Sequence, residues 1–137
     1  MDHKLDHLRR VPLFAGLGSR DLQEVARLVD EVDVPAGHVL TTQGHSGGEF
    51  FIIASGRAHV ERDGIRVRTL GDGDFLGEIA LVDGGPRSAT VTAETPLELL
   101  VLAHREFHSL LDQYPSIQRS VLTALAERVR RTESETV

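Results

Sequence analysis

Apolar positions along the chain change their period twice, and the two changes divide it into three parts. From His3 to Arg10, Leu5 and Leu8 share one side of a short helix that Val11-Pro12 stops, because the residue before a proline avoids helical geometry. Pro12-Leu13-Phe14-Ala15-Gly16-Leu17 reads as an apolar turn, and Ser19 is the expected N-cap of a second helix carrying Leu22, Val25, Ala26 and Val29 at helical spacing. From Glu31 the period falls to two. Glu31-Val32-Asp33-Val34 alternates, Pro35-Ala36-Gly37 turns, His38 to Thr42 extends again, and Gly44 to Gly48 breaks the run. Glu49 to Ser55 is an apolar strand; Ala58 and Val60 alternate with polar neighbours; Asp63-Gly64 is a hairpin turn before Ile65 to Leu70. Arg87 to Thr92 and Leu97 to Leu102 supply the last strands. After Ala103 the helical period returns: Arg105 to Gln113 carries Phe107, Leu110 and Leu111, and Tyr114-Pro115 breaks it. Ile117, Val121, Leu122, Leu125 and Val129 then form one apolar stripe down a final helix. Many short strands with frequent turns predict a small β-barrel or jelly roll, a container shape, with helices at both ends.

Composition narrows what such a container does. At 137 residues the chain is one domain by length, with 40% hydrophobic residues for a core and no room for a second catalytic domain. The net charge of −6 leaves no overall basic footprint, so no direct contact with nucleic acid is expected. The first two helices are a packing unit, because Asp21, Glu24 and Asp30 oppose Arg20 and Arg27. The absence of cysteine removes disulfide and thiolate chemistry and fits a reducing compartment. No apolar run reaches membrane-spanning length, and Met1 to Arg10 is too polar for a signal peptide, so no membrane contact and a cytoplasmic location are expected.

The chemistry gathers between Gly71 and Val91, where glycine-punctuated turns, one carboxylate and one guanidinium lie close together between apolar runs. Gly77 lets backbone approach a ligand closely. Glu78-Ile79-Ala80-Leu81 is long enough for one helical turn whose first N–H groups lack intrahelical partners and favour a phosphate. Asp83-Gly84-Gly85-Pro86 folds the chain back so that Arg87, a planar and always charged fork, meets the same oxygens, with the Ser88 hydroxyl beside it. A phosphate would repel Glu78 unless that carboxylate points at a neutral donor, and a ribose hydroxyl fits. Together these groups suggest a sugar phosphate of low charge with a hydroxyl nearby, a description that suits a 3′,5′-cyclic nucleotide. The competing interpretation is a surface ion pair between Arg87 and Glu78, worth at most about 1 kcal/mol.

Phe75-Leu76-Gly77-Glu78-Ile79-Ala80-Leu81 followed by Pro86-Arg87-Ser88-Ala89-Thr90-Val91 resembles the phosphate-binding cassette of the cyclic-nucleotide-binding domain family, of the catabolite activator protein and protein kinase A regulatory subunit type. The resemblance implies an eight-stranded, jelly-roll-like β-roll, mainly β with flanking helices. It divides the chain into N-terminal helices (1–30), the roll (31–103) with its cassette (75–90), and C-terminal lid helices (104–131). It implies that Glu78 holds the ribose 2′-hydroxyl and Arg87 a cyclic phosphate oxygen. The backbone near Ile79, Ala80, Ser88 and Ala89 would take the rest of the phosphate, and Gly77 would keep the approach open. Leu76 stands where the family often has an aromatic residue. No aromatic residue follows Tyr114, so an aliphatic lid, Leu122 or Leu125, would cap the base. The ligand expected is cAMP in preference to cGMP, with no other cofactor. The C-terminal helix would move on binding, and it could also pair two subunits as a homodimer. With only Thr132 to Val137 after the expected last helix, an effector protein would act in trans. Two alternatives share the fold: a ligand-independent interaction or dimerisation module, and a regulatory fragment of a larger effector.

Other motifs in the sequence do not convert into chemistry. Gly44-His45-Ser46-Gly47-Gly48 fits G-x-S-x-G, but a strand by composition follows it, not the helix a nucleophile elbow requires, so no esterase and no other enzyme is expected. Seven histidines include His3 with His7 and His104 with His108, each pair one helical turn apart. Neither pair has the third ligand of a catalytic zinc, so no metal is assigned. Gly71, Gly73 and Gly77 miss the dinucleotide fingerprint, and Asp72, Asp74 and Asp83 lack calcium-loop spacing.

Overall fold

The computed structural model describes residues 3–77 and 85–136. In chain order the elements are α1 (His3–Arg10), a 3-10 turn (Pro12–Phe14), α2 (Ser19–Leu28), β1 (Asp30–Val34), β2 (Val39–Thr41), β3 (Glu49–Ser55), β4 (Ala58–Arg62), β5 (Ile65–Leu70), β6 (Phe75–Leu76), β7 (Thr90–Ala93), β8 (Leu97–Ala103), α3 (His104–Gln113) and α4 (Pro115–Thr136). Among the described residues eight strands form two antiparallel sheets of four, ordered β1-β8-β3-β6 and β2-β7-β4-β5. This is the β-roll with flanking helices that the sequence leads one to expect.

In the first sheet β3 and β8 are covered on both sides, and their sequence says why. Phe50 and Ile52 of β3, with Leu100 and Leu102 of β8, join a core with α1, α2, Phe107, Leu110, Ile117 and Val121. Their neighbours Phe51, Ile53, Leu97 and Leu99 point the other way, into the roll, where they meet Ala58, Val60, Leu76, Ala89 and Val91. A strand buried on both faces reads as an unbroken apolar run, and side chains that alternate across it serve two cores at once. The second sheet faces solvent on its outer side and alternates accordingly: in β4, Ala58 and Val60 are buried while His59 and Glu61 are more open. The β4–β5 hairpin turns through Asp63 and Gly64 with φ of 55° and 78°, the pair of positive values a tight two-residue turn needs.

Three expectations change. Ser19 is the first residue of α2 rather than its N-cap: Gly18, extended at φ −77° and ψ 172°, takes that position with no side-chain capping bond. The last helix continues past 131 to Thr136, since neither glycine nor proline follows Arg131 to stop it. The expected stripe on that helix splits, with Ile117 and Val121 in the core, Ala124 and Leu125 half-buried against it, and Leu122 and Val129 on the outside. A residue next to Val121 lies about 100° around the helix from it, which carries Leu122 off the packed face.

Candidate functional site

The Arg87 backbone is held by two bonds to the β2–β3 loop. Its N–H donates to the His45 carbonyl at 2.8 Å, and its own carbonyl accepts from the Gly44 N–H at 2.9 Å. The following residues continue the zipper: Thr41 Oγ1 donates to the Ala89 carbonyl at 3.0 Å, and the Gln43 N–H donates to Thr90 Oγ1 at 3.0 Å. The turn into β7 is therefore fixed on the very loop that matched a nucleophile elbow by letters. Ser46 of that loop is exposed and sits between two strands, without the helix an elbow needs.

From this anchored backbone the Arg87 side chain runs inward, and the residue is only 6% exposed. Its Nη2 donates to the Glu49 carbonyl at 2.7 Å, and the Glu49 carboxylate stands 3.8 Å from the same nitrogen. That carboxylate is about half exposed, so solvent screens the ion pair, whereas the guanidinium it faces is buried. Two glycines wall the guanidinium. A Cβ on Gly47 would lie 2.7 Å from Nη2 and 2.9 Å from Cζ, and one on Gly77 would lie 2.6 Å from Nη1 and 2.8 Å from the Glu49 carbonyl. Gly77 also has φ +96°, a conformation that other residues rarely adopt. Burying a permanent charge is costly unless it is matched, and a planar fork in a glycine-walled slot suits a small oxyanion.

The structure thus brings Gly77 and Arg87 into contact, although ten positions separate them in the sequence. Glu78, Ile79 and Ala80 lie outside the described residues. Ser88 is exposed, and its carbonyl accepts from Arg62 Nε at 3.2 Å; Ala89 is buried in the roll interior. Leu76 is buried there too, opposite Phe51. Leu122 is 64% exposed, and Leu125 packs against the helical core. Sequence reasoning missed Gly47 and Glu49. The only signal for them was a glycine pair directly ahead of an apolar strand, where a close approach of side chain to backbone is common. Among the described residues no cluster of three or more metal-ligating side chains occurs, and no helix is long and apolar enough to cross a membrane.

Comparison with known proteins places this geometry in context. Residues 31–114 match the family described as Cyclic nucleotide-binding domain. The chain is 42% identical over 118 residues to a cyclic nucleotide-gated potassium channel of Rhizobium etli, a match that covers 86% of this chain and 33% of the channel. Among solved structures, cAMP-bound PfPKA-R superposes with a TM-score of 0.82 at 26% identity, covering 96% of this chain and 45% of that one. The catabolite activator protein of Thermus thermophilus superposes with a TM-score of 0.80 at 29% identity, covering 91% of this chain and 61% of that one. The chain spans about a third of the length of the channel it matches.

Proposed function

Because the chain belongs to the cyclic nucleotide-binding domain family, we propose that it is a non-enzymatic receptor for a 3′,5′-cyclic nucleotide, with cAMP favoured over cGMP. The observation that carries this is the buried Arg87 guanidinium, held by Glu49 and walled by Gly47 and Gly77, at the end of the cassette. In this reading Arg87 takes an equatorial phosphate oxygen and Glu78 the ribose 2′-hydroxyl. The backbone at Ile79, Ala80, Ser88 and Ala89 surrounds the remaining phosphate oxygens. The Glu49 carboxylate offsets part of the Arg87 charge before ligand arrives.

The output is movement of the C-terminal helices. A ligand shifts a conformational equilibrium only by the difference in its affinity for the two states, so cassette and helix must close together for binding to be transmitted. Leu122 is exposed and is the aliphatic side chain left to cover a base, whereas Leu125 is already engaged in the helical core. Leu122 and Val129, both exposed on α4, also provide the apolar surface for a homodimer. An effector acting in trans and a cytoplasmic setting, which the cysteine-free composition supports, complete the proposal.

Calorimetric titration with cAMP and with cGMP, on wild type and Arg87→Ala, tests it. Loss of a charge-assisted bond worth about 1.5–3 kcal/mol should weaken binding roughly ten- to hundredfold. Equal affinity in both proteins would remove Arg87 from the site, and no binding of either nucleotide to wild type would end the receptor reading.

A further inference from the structure

The first turns of α3 carry a feature that nucleotide binding does not use. His104 and His108 sit one helical turn apart with their rings stacked at a centroid distance of 4.6 Å and 29° between planes. Their Nε2 atoms are 2.8 Å apart. One ring therefore donates the shared hydrogen and the other accepts it, so the two Nε2 atoms already converge on one point. Two nitrogens on a single zinc ion, each at about 2.0–2.1 Å and at right-angle to tetrahedral spread, are separated by about 2.9–3.4 Å. The observed separation lies within about 0.1 Å of that range. The pair is also set at the helix start: His104 follows β8 directly and its N–H donates to the Gly48 carbonyl at 2.8 Å. His108 is exposed and His104 half-buried, which gives a cation access from solvent.

We propose that His104 and His108 form a two-imidazole site for a divalent transition-metal cation of the zinc, copper or nickel class. The cation takes the place of the shared hydrogen. The donating ring gives up that hydrogen at Nε2 and carries one at its own Nδ1 instead, so both Nε2 lone pairs turn to the metal and the pair's proton count is unchanged. Imidazole suits these metals over magnesium or calcium, which prefer oxygen ligands. Two protein ligands leave the remaining coordination positions to water, so the site exchanges its metal readily and is not a structural zinc centre. Bridging positions i and i+4 also staples the first turns of α3.

Titration of the full chain with zinc, and separately with copper(II) followed by electron paramagnetic resonance, tests the site without any nucleotide. Wild type should bind one saturable equivalent of zinc, gain thermal stability from it, and show copper coupled to two imidazole nitrogens. His104→Gln and His108→Gln should each abolish the saturable equivalent and the stabilisation, and should leave at most one coupled nitrogen. His3→Gln, which alters the other one-turn pair, should change none of these. An unchanged zinc isotherm in His108→Gln, loss of binding in His3→Gln, or no saturable binding to wild type would each show that the two rings share a hydrogen bond only.

Discussion

Arg87 and Glu49 meet through a main-chain bond as well as a charge: Nη2 donates to the Glu49 carbonyl at 2.7 Å, while the Glu49 carboxylate stands 3.8 Å from that nitrogen. The two contacts do different work. The carbonyl fixes the plane of the fork to the start of β3, and the carboxylate, half in solvent, adds a weak attraction that an incoming anion can outcompete. Glu49→Gln should therefore leave the fold intact and strengthen cyclic nucleotide binding, because the anion no longer meets a negative neighbour. A weaker affinity in Glu49→Gln, measured by fluorescent nucleotide titration, would show that the carboxylate positions Arg87 instead.

Arg87→Lys keeps the charge and loses the fork. A single ammonium cannot bond the Glu49 carbonyl and a phosphate oxygen in the arrangement that a planar guanidinium permits. Affinity should fall about tenfold or more, the low end of the range expected for a lost charge-assisted bond. Equal affinity would mean that only charge matters in the slot.

The two glycine walls separate binding from stability. Gly47→Ala places a methyl 2.7 Å from Nη2, against the end of a side chain, so the guanidinium must shift and nucleotide affinity should fall while the denaturation midpoint changes little. Gly77→Ala meets the Glu49 main chain at 2.8 Å and requires φ +96° of a residue with a Cβ, so it should also cost at least about 1–2 kcal/mol of stability. Urea denaturation of both variants beside nucleotide titration distinguishes the two effects. A Gly77→Ala protein as stable as wild type would contradict the strain at that position.

Phe107 tests the bond between helix and roll. It stacks on Phe50 of β3 at 4.0 Å and 12° and is fully buried. Phe107→Ala should lower the unfolding free energy by about 3–5 kcal/mol. A loss well under that, by chemical denaturation, would mean that α3 repacks without it.

Tyr114, at the break between α3 and α4, has its phenol pKa raised above 10.0, first by burial and then by the carboxylates of Asp21 and Glu24 on α2. The folded protein therefore holds this proton more tightly than the unfolded chain. The contribution is fully present below the unfolded value and is lost as pH rises through the folded one. Stability should fall more steeply in wild type than in Tyr114→Phe above a pH of about 10. Parallel falls in the two proteins would remove Tyr114 as the cause.

Much of the roll was legible because its periods are clean. The unbroken run Phe50-Phe51-Ile52-Ile53 marks a doubly buried strand, and Asp63-Gly64 marks the hairpin. Gly77 and Arg87 were legible through spacing to their neighbours. The loop from Gly44 to Gly48 was not, because its contribution is made by main-chain groups and by missing side chains: the His45 carbonyl, the Gly44 N–H and the absent Cβ of Gly47. The role of Glu49 was hidden for a related reason, since its carbonyl does the bonding and any residue has one. The exposure of Leu122 was illegible because apolar spacing alone does not say which edge of a stripe meets the core.

The alternation along β3 and β8 makes the first sheet a party wall with a tenant on each side. Interiors packed at crystal-like density have little slack, so a side chain displaced in the roll cannot be absorbed locally when its neighbour along the strand already abuts a helix. A side chain displaced on one face of β3 or β8 therefore disturbs a strand on which the opposite core also rests.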